Sequence, residues 1–88
     1  MQASKDYLLR TIAGETILIP SGKAAQKFNG LVTVNEVGSF LWDELQSPID
    51  LDRLTARICE EYEVDEKTAR ADAEAFLEEL RKIGALED

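Results

Sequence analysis

Phe28-Asn29-Gly30-Leu31-Val32-Thr33-Val34-Asn35-Glu36 carries three structural signals in succession. Asn29-Gly30 is a turn dipeptide, because both residue types tolerate the positive φ that tight turns demand. Leu31-Val32-Thr33-Val34 reads as a strand, its β-branched residues suiting a pleated surface. Asn35 has the short polar side chain of a helix N-cap, and Glu36 puts an anion in the first turn, where the helix dipole favours it. A strand is thus expected to pass directly into a helix here.

Upstream of this junction the chain reads as two more strands. Residues 7–12 are rich in aliphatic side chains, and residues 16–19 form a β-branched run closed by Pro20. Ala13, Gly14 and Glu15 between them suit a hairpin, with Gly14 as the positive-φ residue. Residues 21–28 lack a period and are expected to form a connecting loop.

Downstream the period changes to that of helices. Val37, Phe40, Leu41 and Leu45 mark the first helix, which Ser47-Pro48 stops. Asp50 or Asp52 caps a second, with Leu51, Leu54, Ile58 and Tyr62 along one face. Asp65 caps a third that runs to Ile83, with Ala69, Ala73, Phe76, Leu77, Leu80 and Ile83 as its apolar face. Gly84 is the expected terminator, and Leu86 is placed to fold back over the helix end. The expected fold class is α+β: a three-stranded antiparallel sheet followed by three helices, βββααα, in a single domain of residues 1–88.

Composition narrows the function. Eighty-eight residues with 44% apolar and 32% charged side chains suit one small core and leave little room for a catalytic cleft. Residues 1–6 are polar and precede no long apolar run, so neither a signal peptide nor a membrane span of about 20 residues is expected. A lone cysteine rules out an internal disulfide and suits the cytoplasm. Charge is uneven: residues 1–40 hold four Lys/Arg against three Asp/Glu, residues 41–88 six against fifteen. Such an acidic domain repels phosphate backbones and anionic membrane surfaces, which leaves a protein or peptide as the expected partner.

Chemistry has few footholds. Histidine is absent, removing the commonest general base and metal ligand. The five glycines are too scattered to cradle a phosphate. Cys59 has no histidine partner and, beside the apolar stripe of its helix, reads as a small buried filler. The carboxylate runs at Glu60, Glu61, Glu63 and at Glu78, Glu79 read as a solvated helix face paired with Arg57, Arg70, Arg81 and Lys82. No catalytic residue, metal site or cofactor is expected.

Three features remain open. Asp72 lies at the margin of the apolar stripe beside Ala69, Ala73 and Phe76, as a boundary carboxylate or as an anchor for a basic residue of a bound peptide. The third strand alternates Leu31, Thr33 and Asn35 with Val32 and Val34, a pattern that suits a core strand and a docking edge equally well. Trp42 reads as packing, with a half-exposed interface role as the alternative.

These residues resemble the PqqD-like proteins. The resemblance rests on Ile17-Leu18-Ile19-Pro20-Ser21-Gly22, on the block from Phe28 to Glu36, and on Gly38-Ser39-Phe40-Leu41-Trp42-Asp43-Glu44-Leu45. Tyr62-Glu63-Val64-Asp65, then Asp72-Ala73-Glu74-Ala75-Phe76-Leu77, Leu80 and Gly84-Ala85-Leu86 extend it.

The resemblance implies a winged helix-turn-helix-like recognition element for ribosomally made, post-translationally modified peptides, with no catalytic role of its own. The leader of a precursor peptide is then expected to add as a strand to Leu31, Val32, Thr33, Val34 and Asn35. Its side chains would enter a cleft against the third helix, on a face that includes Ala69, Asp72, Ala73 and Phe76. The implied second partner is a maturase of the radical SAM type, and the chain itself is expected as a monomer or weak dimer. Two alternatives stand beside this: a winged-helix DNA-binding regulator, which the eight acids against four bases in residues 65–88 oppose, and an accessory subunit that only docks on an enzyme.

Overall fold

A computed structural model describes residues 1–27 and 32–88. In chain order the elements are β1 (Gln2–Ala3), β2 (Tyr7–Ile12), β3 (Glu15–Pro20), α1 (Gly22–Lys27), β4 (Val32–Thr33), α2 (Glu36–Glu44), α3 (Leu51–Glu61), α4 (Glu66–Ile83) and β5 (Leu86–Glu87). The fold is α+β, and its main sheet is antiparallel in the order β2-β3-β4.

The β2–β3 hairpin closes on the pair Ile12↔Glu15, so its loop is Ala13 and Gly14 alone. Both have positive φ, 52° and 82°, the two-residue geometry whose twist matches that of the flanking strands. Glu15, expected in the loop, is drawn into the ladder. Tyr7, Leu9 and Leu18 lie on the sheet face turned to the helices, whereas Leu8 and Ile12 are exposed on the other.

Two further expectations are corrected. Residues 21–28 were expected as a loop, yet Gly22–Lys27 is a helix. Ser21 starts it by donating its N–H to Asp6 O at 2.7 Å and accepting from Ala24 N at 3.1 Å. Lys, Ala and Gln are good helix formers, but six residues are too few to show a period. Cys59, expected as a buried filler, is exposed. It follows Ile58 by about 100° around α3 and so leaves the stripe that packs inward. Phe28, Asn29, Gly30 and Leu31, on which the turn and the start of the third strand were read, lie outside the described residues.

The termini form a second sheet that the sequence did not reveal. β1 pairs antiparallel with β5 through Gln2↔Glu87 and Ala3↔Leu86, which is how Leu86 folds back. Ala3 N–H donates to Leu45 O at 2.8 Å and Ser4 N–H to Ala85 O at 2.9 Å, so β1 ties the end of α2 to the end of α4.

The helices start and stop as their caps dictate. The side-chain oxygens of Asn35, Asp50 and Asp65 accept from the N–H of Gly38, Arg53 and Thr68 at 2.8, 2.7 and 2.7 Å. Gly84 ends α4 with φ 75°. Leu41, Trp42 and Leu45 from α2 meet Leu54 and Ile58 from α3 and Ala69, Ala73, Leu77 and Leu80 from α4, with Leu18 and Tyr7 supplied by the sheet. Trp42 is core packing, as its sequence context favoured. Arg57 fastens α3 to α2, bonding Glu44 at 2.8 Å and stacking 5.4 Å from the centre of the Phe40 ring.

Candidate functional site

β4 is the last strand of its sheet, so one of its edges has no strand beside it among the described residues. The register decides which main-chain groups that edge offers. Val34 N–H donates to Thr16 O at 2.8 Å, and Ile17 faces Thr33. In an antiparallel pair, hydrogen-bonded and non-bonded positions alternate, so Val34 and Val32 turn their main-chain groups toward β3. Thr33 turns its N–H and C=O the other way, outward from the sheet.

Beside that edge lies a cleft of about 400 Å³ between the β4–α2 junction and α4. Thr33, Val34, Asn35, Val37, Gly38 and Leu41 form one wall, and Asp72, Ala75, Phe76 and Glu79 the other. Spacings of three, four and seven residues put the second set on one stripe of α4. The floor is narrow because Gly38 has no side chain. A Cβ there would stand 2.8 Å from Val34 Cγ1, 3.1 Å from Phe76 Cε1 and 3.2 Å from Asn35 Oδ1. The first turn of α2 therefore meets both cleft walls at a point where any Cβ would push its neighbours aside.

The lining holds two carboxylates, Asp72 and Glu79, and no cation. Neither forms an ion pair among the described residues, although Arg53, Arg57, Arg70 and Arg81 all do. No cysteine lines the cleft, and among the described residues no group of three or more His, Cys, Asp or Glu is placed to hold a metal. The cleft can hold an extended chain, bonding its backbone at Thr33 and covering its side chains with Val37, Leu41 and Phe76.

Of the residues singled out from the sequence, Thr33, Val34, Asn35, Asp72 and Phe76 come together around this cleft. Val32 is half-buried against the core and does not line it. Ala69 and Ala73 are 0% exposed and lie inside the core, one stripe away from the cleft wall. Leu31 lies outside the described residues. Sequence reasoning passed over Val37, Gly38, Leu41, Ala75 and Glu79. Two signals pointed to them: a glycine in the first turn of a helix, where it costs stability, and the i+3, i+4, i+7 stripe that begins at Asp72.

The family model described as "Coenzyme PQQ synthesis protein D (PqqD)" matches residues 15–86. This chain belongs to the PqqD family. The match takes in β3, β4, all three long helices and the cleft between them. A solved structure described as "TbiB1 in Complex with the TbiA(beta) Leader Peptide" is similar to this PqqD-family chain with a TM-score of 0.76 and 26% sequence identity. The alignment covers 99% of this chain and 95% of that one. No curated protein sequence matches the chain. No helix among the described residues is long and apolar enough to cross a membrane.

Proposed function

We propose that this chain is a non-catalytic module that captures the leader segment of a ribosomally made precursor peptide and presents it to a modifying enzyme. The leader adds as a strand to β4, and its side chains enter the cleft against α4. The observation that carries this reading is Thr33, whose N–H and C=O stand on an open strand edge directly beside a cleft lined by Val37, Leu41 and Phe76. The likeness to TbiB1, solved with a leader peptide, supports it.

The physics suits such a role. Each main-chain hydrogen bond made at the β4 edge contributes about 0.5–1.5 kcal/mol, largely independent of sequence. One or two buried apolar anchors add about 1.5–3 kcal/mol each. These gains are set against an association cost of roughly 4–15 kcal/mol, so affinity depends on the main-chain bonds and the anchors acting together. A module of this kind raises the effective concentration of the precursor near the partner's active site. The partner we assign is a maturase of the radical SAM class, met in the cytoplasm, with residues 1–88 acting as one domain.

The test is an NMR titration of the isotopically labelled protein with a synthetic leader encoded beside its gene. Saturable shifts at Val32, Thr33 and Val34 and along Asp72, Ala75, Phe76 and Glu79 are expected. Shifts confined to other surfaces, in the presence of the maturase as well as in its absence, would remove leader capture and leave a subunit that only docks.

A further inference from the structure

The two carboxylates of the cleft define what kind of peptide fits it, given that the cleft takes a strand as proposed above. Asp72 and Glu79 stand on the same stripe of α4 as Phe76, four residues before it and three after. At about 1.5 Å rise per residue they lie roughly 6 and 4.5 Å along the helix axis on either side of the Phe76 ring. In an extended strand, residues on one face recur every 6.6 Å or so. A strand running along the cleft, with one side chain seated over Phe76 and Gly38, therefore brings its positions two before and two after opposite the two carboxylates.

We infer that the segment recognised here carries an apolar side chain flanked at minus two and plus two by basic residues. The floor beneath the central position is apolar, from Val37, Leu41 and Phe76, and the two ends of the cleft are anionic with no cation in its lining. Among the described residues Asp72 and Glu79 are spoken for by no ion pair, so lysine or arginine at the flanks meets carboxylates that are exposed and free to turn. Glutamate or aspartate there meets like charge, inside a stretch, residues 41–88, that already holds fifteen acids against six bases. Main-chain pairing gives affinity, and the charge pattern sets register, because a one-residue slip turns both basic residues away from α4.

The experiment compares two short synthetic peptides that differ only at these flanks: a central leucine with lysine two residues to either side, and the same peptide with glutamates. Calorimetry gives affinity, and the Thr33 amide resonance reports strand addition. The lysine peptide is expected to bind roughly tenfold or more tighter at low ionic strength, a gap that narrows with added salt. The gap should close in the double variant Asp72→Asn, Glu79→Gln, two exposed positions whose exchange leaves the core untouched. It should persist in Glu74→Gln, Glu78→Gln, which neutralises the opposite flank of α4. Equal affinities with the Thr33 amide shifting for both peptides overturn the charge pattern and leave strand capture standing. No Thr33 shift with either peptide overturns strand capture, and the charge pattern with it. A gap that survives loss of Asp72 and Glu79 overturns the assignment to these residues.

Discussion

Gly38 shows how one residue can serve packing and binding together. In an exposed helix, Gly→Ala gains about 0.8–1.0 kcal/mol from backbone entropy. Here the new methyl meets Val34 Cγ1 at 2.8 Å, and Val34 belongs to the core and cannot simply swing aside. Overpacking of that kind costs about 1–3 kcal/mol. Gly38→Ala is therefore expected to lower stability by about 1 kcal/mol in a urea titration followed by the fluorescence of Trp42, the only tryptophan. Peptide affinity should fall as well, since the methyl occupies the cleft floor. Tyr7 is a second such residue, its hydroxyl donating to Ile83 O and so joining the sheet to the last turn of α4. Burial first, then the nearby Asp6 carboxylate, raise its pKa above 10.0. A raised phenol favours the neutral form in the folded state, so its contribution is whole below pH 10 and is lost as pH rises through the folded value. Tyr62 is shifted the same way by burial, with help from Glu36 and Glu61. Tyr7→Phe is expected to lower stability by about 1–2 kcal/mol at neutral pH through the orphaned carbonyl, and to flatten the alkaline limb of the stability curve without abolishing it.

At the scale of elements, the alternation along β4 turns two neighbouring residues into opposite experiments. Thr33 offers its main chain to the open edge, whereas Val32 and Val34 spend theirs on β3. Proline removes one N–H donor and is tolerated on an edge that faces outward. Thr33→Pro should thus leave the circular dichroism spectrum and the urea midpoint close to wild type while weakening peptide capture about tenfold or more, the equivalent of roughly 1.4 kcal/mol for the lost bond and its neighbours. Val32→Pro should instead break the β3–β4 ladder and lower stability itself. Retained capture in a folded Thr33→Pro protein would move the docking strand elsewhere. The same contrast of scale explains what was legible in the sequence. The long helices were legible because each has a side-chain cap and several turns of apolar period: Asn35 and Asp65 start two of them where they were read to start, and Asp50, one of the two caps read for the other, starts the third. α1 and the β1–β5 pair were not, because elements of six and two residues show no period, and the second exists only through a partner some eighty residues away. The cleft was half legible. Asp72 and Phe76 were read from the margin of the stripe, but a helical wheel treats Ala69 and Ala73 as their equals, and only the packing of α3 against α4 shows that those two are sealed in the core.

At the scale of the whole molecule, the chain ends and the cleft sit on different sides of α4. The cleft uses the stripe of Asp72, Ala75, Phe76 and Glu79, whereas Met1 and Asp88 border a separate cavity with Glu74, Leu77, Glu78 and Arg81. These two sets are offset by two residues, about 200° around the helix. Stability and binding should therefore separate when the ends are altered. Deleting residues 1–4 removes the buried Ala3 and Ser4 and the donors to Leu45 O and Ala85 O, and it leaves Leu86 without a strand partner. The orphaned carbonyls of Leu45 and Ala85, the Ile49 N–H and C=O that lose Met1, and the lost apolar contact amount to at least about 2–4 kcal/mol, a large share of the roughly 5–15 kcal/mol that holds a domain of this size. The expected result is a clear fall in the urea midpoint, together with an unchanged Thr33 amide shift on peptide addition under conditions where the shortened protein stays folded. A loss of peptide binding at full folding would mean that β1 reaches the cleft through α2, whose last turn it holds at Leu45, and that the two walls of the cleft are kept in register from the far side of the molecule.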